Sequence, residues 1–156
     1  MIVATRVDER LVHGQVAVSW TSALGADCIL VANDDAASDS MQRAILKMAK
    51  PAGCKLVIKS IDDSIAAIER GATDKYRLFI VVKTVNDACR LARGCSAIDS
   101  INLGNVIPKD GARQIARCVH LSPDEQESLI KLTAAGVNVE IRSLPGDKAL
   151  QFAEAL

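Results

Sequence analysis

The stretch RVDERLVHGQV places Arg6, Asp8, Glu9, Arg10 and His13 within eight residues, between an apolar segment and an amphipathic one. Imidazole, carboxylate and guanidinium together can move protons, attack an electrophile or hold an anion. The apolar spacing that follows places the start of a helix at or next to His13. A helix N-terminus offers unpaired backbone N–H groups and a partial positive charge, which make an anion site. That field and the two arginines favour an uncharged imidazole, whereas Asp8 and Glu9 oppose them. An uncharged imidazole is a nucleophile, and a phosphoryl group placed on it would be stabilised by the same amides and guanidinium groups. The segment therefore suits a histidine that accepts phosphate and passes it on. The plainer alternative is a histidine that caps a first turn, with the arginines as a solvated rim.

Other chemistries find less support. His120 is the second of two histidines and lies in the strand-like segment CVHL, so it reads as structural. No G-x-S-x-G occurs, and no cysteine adjoins His13. Neither G-x-x-x-x-G-K-[ST] nor G-x-G-x-x-G is present, which argues against a bound nucleotide. Cys28, Cys54, Cys89, Cys95 and Cys118 are odd in number and form no C-x-x-C. They read as small buried hydrophobes in a reducing compartment, with no metal and no cofactor expected. Asp34 and Asp35 after one strand, with Lys83 and Thr84 after another, raise an alternative: an aspartate-phosphorylated receiver-like signalling domain. Its acid pair follows the wrong strand for that pattern, and the third strand ends in Lys59-Ser60.

The elements that must position these residues alternate. Apolar β-branched runs predict strands at Met1–Thr5, Asp27–Ala32, Lys55–Ser60, Leu78–Lys83, Ile98–Leu103 and Val137–Arg142, with a further one around Ala116–Leu121. A charged loop is expected over Arg6–Val12. Helices are expected over His13–Leu24, from a cap at Ser38 or Asp39 to Lys50, and from Asp62 or Asp63 to Arg70. Three more are expected: Asn86–Arg93, one started by Ser122-Pro123-Asp124-Glu125 and ending at Gly136, and Asp147–Leu156. This order predicts a single α/β domain over 1–156, a mostly parallel central sheet with helices on both faces. Ligands of such folds sit outside the carboxyl ends of the strands. Four loops qualify: Arg6–His13, Asn33–Ser38, Lys83–Asn86 and Gly104–Lys109.

Composition narrows the partners. Lysine plus arginine and aspartate plus glutamate are both 19, so a dedicated nucleic-acid binder is not expected. Aromatics are 3%, too few for base-stacking platforms. The start MIVATRVDER resembles no secretory signal, and no apolar run nears membrane-span length, so the chain is expected to be cytosolic.

RVDERLVHGQVAVSW, from Arg6 to Trp20, closely resembles the opening of IIB subunits of the mannose/fructose/sorbose-type sugar phosphotransferase system, whose pattern reads R-[IV]-D-x-R-L-[IV]-H-G-Q-V-x-x-x-W. VANDDAASD, KMAKPAG, INLGNV and GVNVEIRSLPGD resemble later segments of the family. Together these stretches carry the resemblance along essentially the whole chain. It implies that His13 is a phosphocarrier, taking phosphate from the phosphohistidine of a IIA domain and giving it to a sugar during uptake through membrane subunits IIC and IID. Arg10 matches the residue that steadies the phosphoryl group; Arg6, Asp8, Gly14 and Gln15 match supporting positions. Nδ1 is the expected phosphorylated nitrogen, on a flat surface that serves two partners in turn. The implied protein is cytoplasmic, associated peripherally with the membrane through IIC and IID, and compatible with homo-oligomers. NLGNV lacks a second glycine that many members carry, and with PGD it resembles members serving N-acetylgalactosamine or galactosamine.

Overall fold

Seven strands form one sheet in the order β3-β2-β4-β1-β5-β8-β9 in the computed structural model, which describes residues 1–156. The strands are β1 (Ile2–Asp8), β2 (Cys28–Ala32), β3 (Lys55–Lys59), β4 (Leu78–Val82), β5 (Ser100–Asn105), β8 (Asn138–Ile141) and β9 (Leu150–Gln151). All pairings are parallel except that of β8 with β9. A separate antiparallel hairpin joins β6 (Arg113–Ala116) to β7 (Val119–Leu121). The expected α/β architecture, with a mostly parallel sheet between helices, is the one observed.

The strand sequences dictate where helices pack. In β2, Cys28, Leu30 and Ala32 face one apolar cluster while Ile29 and Val31 face another; β4 divides likewise. Such strands are apolar throughout because both faces are covered. One cluster takes Ala17 and Trp20 of α1 (Gly14–Leu24), Ala36 of α2 (Asp34–Ser38) and Leu46 of α3 (Ser40–Met48). The other takes side chains of α4 (Ile61–Glu69), α5 (Val85–Gly94), α6 (Pro123–Ala134) and α7 (Phe152–Ala155). Right-handed crossovers produce this division: connections running towards β3 lie on one face and those running towards β8 on the other. The chain leaves β1 for the first face, while β4 and β5 on either side leave for the second. The carboxyl end of β1 is therefore a switch point, where loops diverge and a site can form.

Several boundaries differ from the sequence expectations. β1 continues to Asp8 instead of ending at Thr5, because Arg6 and Asp8 neutralise each other inside the sheet. A short α2 fills the expected loop, started by Asn33, whose side chain accepts from the Ala36 amide at 2.8 Å. Ser60, not Asp62 or Asp63, caps α4, and Thr84, not Asn86, caps α5. The terminal helix shrinks to Phe152–Ala155, because Arg142 and Asp147 hold the preceding segment in turns. The capping box of Ser122 and Glu125 forms as expected, with both reciprocal hydrogen bonds present.

Candidate phosphorylation site

His13 is the N-cap of α1, in extended backbone conformation, and its ring makes no capping hydrogen bond. The first backbone hydrogen bond of the helix runs from Ala17 N–H to the His13 carbonyl, at 3.2 Å. The amides of Gly14, Gln15 and Val16 thus have no acceptor within the chain and lie beside the imidazole's own backbone. Gly14 starts the helix at φ +44, a left-handed conformation that favours glycine, while a Cβ there would meet nothing. Its role is to let the chain turn sharply from His13 into the helix. Leu11, at φ 57, is the one non-glycine residue with positive φ, so the loop just before His13 is strained as well.

Asp8 organises the loop. Its Oδ1 accepts the Arg10 amide at 3.0 Å. Its Oδ2 lies 3.1 Å from His13 Nε2 and also accepts Arg6 Nη2 at 3.2 Å and Nε at 3.3 Å. Asp8 is 1% exposed and Arg6 3%, whereas His13 is 17% exposed. The ring edge opposite Nε2 carries Nδ1, which makes no hydrogen bond within the chain.

Arg6 is a buried cation with a complete set of partners. Nη1 donates to Asn102 Oδ1 at 2.8 Å and to the Arg142 carbonyl at 3.1 Å. Its guanidinium carbon lies 5.0 Å from the centre of the Trp20 ring, and that of Arg142 lies 5.2 Å from it. Burial pushes the Arg6 guanidinium below its usual value, and Asp8 opposes that shift. It remains the charge that compensates Asp8, since a guanidinium does not lose its proton in proteins. A Cβ at Gly104 would collide with the Arg6 guanidinium, so the glycine of NLGNV is there for space.

Arg10 is exposed, and its side chain has no hydrogen bond or ion pair within the chain. Gln15 is exposed as well. The structure thus brings Arg6, Asp8, His13 and the free amides together, with Arg10, Gly14 and Gln15 at the rim. Sequence reasoning missed Asn102 and Arg142 as supports. The signal was the period of two in SINLGN and NVEIR, where polar Asn102, Glu140 and Arg142 alternate with buried Ile101, Leu103, Val139 and Ile141.

Two of the four residues of the receiver-like alternative, Asp34 and Thr84, are occupied elsewhere. Asp34 accepts the Ile61 amide at 2.9 Å and pairs with Arg90 at 3.1 Å, and these contacts hold its carboxyl below the usual range. Thr84 caps α5 through the Asp87 amide. His120 Nδ1 lies 3.2 Å from the Val106 carbonyl, in keeping with a structural role. All five cysteines are free thiols; four are buried and Cys118 is half-buried. No helix is long and apolar enough to cross a membrane.

Comparison with known proteins adds to this geometry. A probable phosphotransferase enzyme IIB component of Streptococcus pyogenes is 49% identical over 107 residues, covering 68% of this chain and 65% of that protein. An N-acetylgalactosamine-specific phosphotransferase enzyme IIB component of Escherichia coli is 34% identical over 155 residues, covering 99% and 98%. The crystal structure of the IIB domain of the sorbose permease from Klebsiella pneumoniae superposes with a TM-score of 0.93 at 26% identity, covering 99% and 95%. The profile of the PTS system sorbose subfamily IIB component matches residues 2–156, and the chain belongs to that family of sugar phosphotransfer components.

Proposed function

We propose that His13 Nδ1 is the nucleophile that takes a phosphoryl group from the phosphohistidine of a IIA domain and hands it to a sugar. The observation that carries this reading is the contact of Asp8 Oδ2 with His13 Nε2, at 3.1 Å. A carboxylate accepts only, so Nε2 carries the proton and Nδ1 carries the lone pair. In the first step the Nδ1–P bond forms as the donor's N–P bond breaks, and the donor imidazole keeps the displaced electron pair. His13 retains its Nε2 proton, which stays on the Asp8 hydrogen bond and offsets the charge of the phosphorylated ring. On this reading the amides of Gly14, Gln15 and Val16, with the Arg10 guanidinium, take the equatorial oxygens. In the second step a sugar hydroxyl attacks phosphorus, the Nδ1–P bond breaks, and the hydroxyl proton leaves to a base on the acceptor side.

Placement and charge complementarity supply the catalysis. His13 lines neither the cleft of about 470 Å³ nor the groove of about 230 Å³ in this half of the sheet. That fits a flat face that IIA and then the membrane subunits IIC and IID cover in turn, with this chain cytoplasmic and held at the membrane by them. The relatives point to N-acetylgalactosamine or sorbose as the class of sugar. The reading is tested by supplying labelled phosphoenolpyruvate, the general phosphotransfer proteins and the cognate IIA. The wild-type chain should take label that acid removes and alkali spares, and His13→Ala should take none. Label on His13→Ala, or an alkali-labile bond, would overturn it.

A further inference from the structure

We infer that the cleft between β5, the β6–β7 hairpin and the β8–β9 connection binds a phosphorylated monosaccharide, the product class of the transfer. The cleft encloses about 470 Å³ on the same carboxyl edge of the sheet as His13. That volume lies within the range of small-molecule sites. Arg117, Arg142 and Lys148 line it with one carboxylate, Asp147; Arg142 is already paired with Glu140 at 3.0 Å, so Arg117 and Lys148 are the two free cations. Arg117 and Lys148 are exposed and enter no ion pair within the chain. Arg142 Nε is one of only two buried side-chain polar atoms without a partner, the other being Thr5 Oγ1.

The walls are built rather than loose. Trp20 Nε1 donates to the Ser143 carbonyl at 3.0 Å, Arg142 Nη1 to the Pro145 carbonyl at 3.3 Å, and the Leu144 amide to Asp147 Oδ2 at 3.0 Å. These bonds hold the segment after β8 open before any ligand arrives. Ala116, Leu144 and Leu150 give the cleft an apolar side. A phosphate dianion matches the unpaired cations, and the C–H face of a pyranose matches that apolar side. A flat protein partner would not fill such a concavity.

The cleft is wired to the phosphorylation site. Gly104 lines it and packs on the Arg6 guanidinium, and the Arg142 carbonyl accepts from Arg6 Nη1. Arg6 in turn shares Asp8 Oδ2 with His13. A bound product thus sits one residue behind the pair that orients the nucleophile. The choice of a sugar phosphate rests on the phosphotransfer reading above; the cationic cleft itself does not.

The test titrates N-acetylgalactosamine 6-phosphate and mannose 6-phosphate into the unphosphorylated chain, followed by amide NMR shifts and by the rate of Cys118 alkylation. Free N-acetylgalactosamine and inorganic phosphate are the controls. At millimolar concentrations at least one of the two sugar phosphates should shift the amides of Gly104, Cys118 and Lys148 and slow Cys118 alkylation. Lys148→Ala and Arg117→Ala should each weaken binding by about tenfold, the value of one charge-assisted contact. His13→Ala should bind as the wild type does. The proposal is overturned if neither sugar phosphate shifts these amides, if inorganic phosphate binds as tightly, or if His13→Ala abolishes binding. None of these results depends on label transfer to His13, so failure here is separable from failure of the phosphotransfer reading.

Discussion

Asp8 and His13, five residues apart, meet through a single carboxylate oxygen: Oδ2 lies 3.1 Å from Nε2 and is shared with the buried guanidinium of Arg6. One oxygen thus connects a buried cation to the partly buried imidazole. Arg6 compensates the charge of Asp8 at 1% exposure, and the Asp8 contact orients the imidazole.

Removing Arg6 should therefore damage both stability and chemistry. Arg6→Met leaves Asp8 buried and uncompensated, which costs about 3–5 kcal/mol. For a chain of this size that lowers the melting temperature by roughly 6–20 °C. The double variant Arg6→Met/Asp8→Leu should recover much of the stability and none of the phosphorylation rate. Calorimetry and a label-transfer assay on the same samples check this. Equal rates in the double variant and the wild type would show that the pair serves only the fold.

Arg10 behaves differently because nothing inside the chain holds it. Arg10→Lys keeps the charge and loses the planar fork. The melting temperature should not change, and phosphoryl acceptance should fall about tenfold, equivalent to roughly 1.4 kcal/mol of one charge-assisted hydrogen bond. An unchanged rate would make Arg10 part of the solvated rim.

Gly104 tests the packing behind the site. Gly104→Ala puts a methyl where the Arg6 guanidinium lies, and such overpacking costs about 1–3 kcal/mol. Arg6 must then shift off Asp8 or Asn102. Stability and phosphorylation should fall together, whereas Gly146→Ala, whose Cβ meets nothing, should alter neither.

The thiols are graded by burial. Desolvation pushes Cys28 and Cys95 up to about 11, and raises Cys54 and Cys89 as well. At pH 8, below these raised values, the buried thiols stay protonated and out of reach. Iodoacetamide on the native chain should add one group, at Cys118, and five after unfolding. Mass spectrometry of the timed reaction decides it; early modification of Cys28 would contradict the burial described here.

The fold was largely legible because β2 and β4 are apolar on both faces, which is the mark of strands buried in a parallel sheet. The site was legible in part, since Arg6, Asp8, Arg10 and His13 lie close together along the chain. The placement of Arg6 and Asp8 was not. Charged residues read as loop, and only Asn102 on β5, the Arg142 carbonyl and the Trp20 ring explain why β1 can carry an ion pair inside the sheet. Those partners lie far away in sequence, so no local pattern could reveal them. The terminal helix starts at Phe152 rather than Asp147 for a related reason: the turns before it are set by side-chain contacts of Arg142 and Asp147 rather than by periodicity.

The most direct measurement is a long-range proton–nitrogen NMR correlation on the phosphorylated chain with ¹⁵N-labelled histidine. One phosphorylated ring is expected, His13, with phosphorus coupled to Nδ1 and a proton retained on Nε2 beside Asp8. Phosphorus on Nε2, on His120 or on a carboxylate would contradict it.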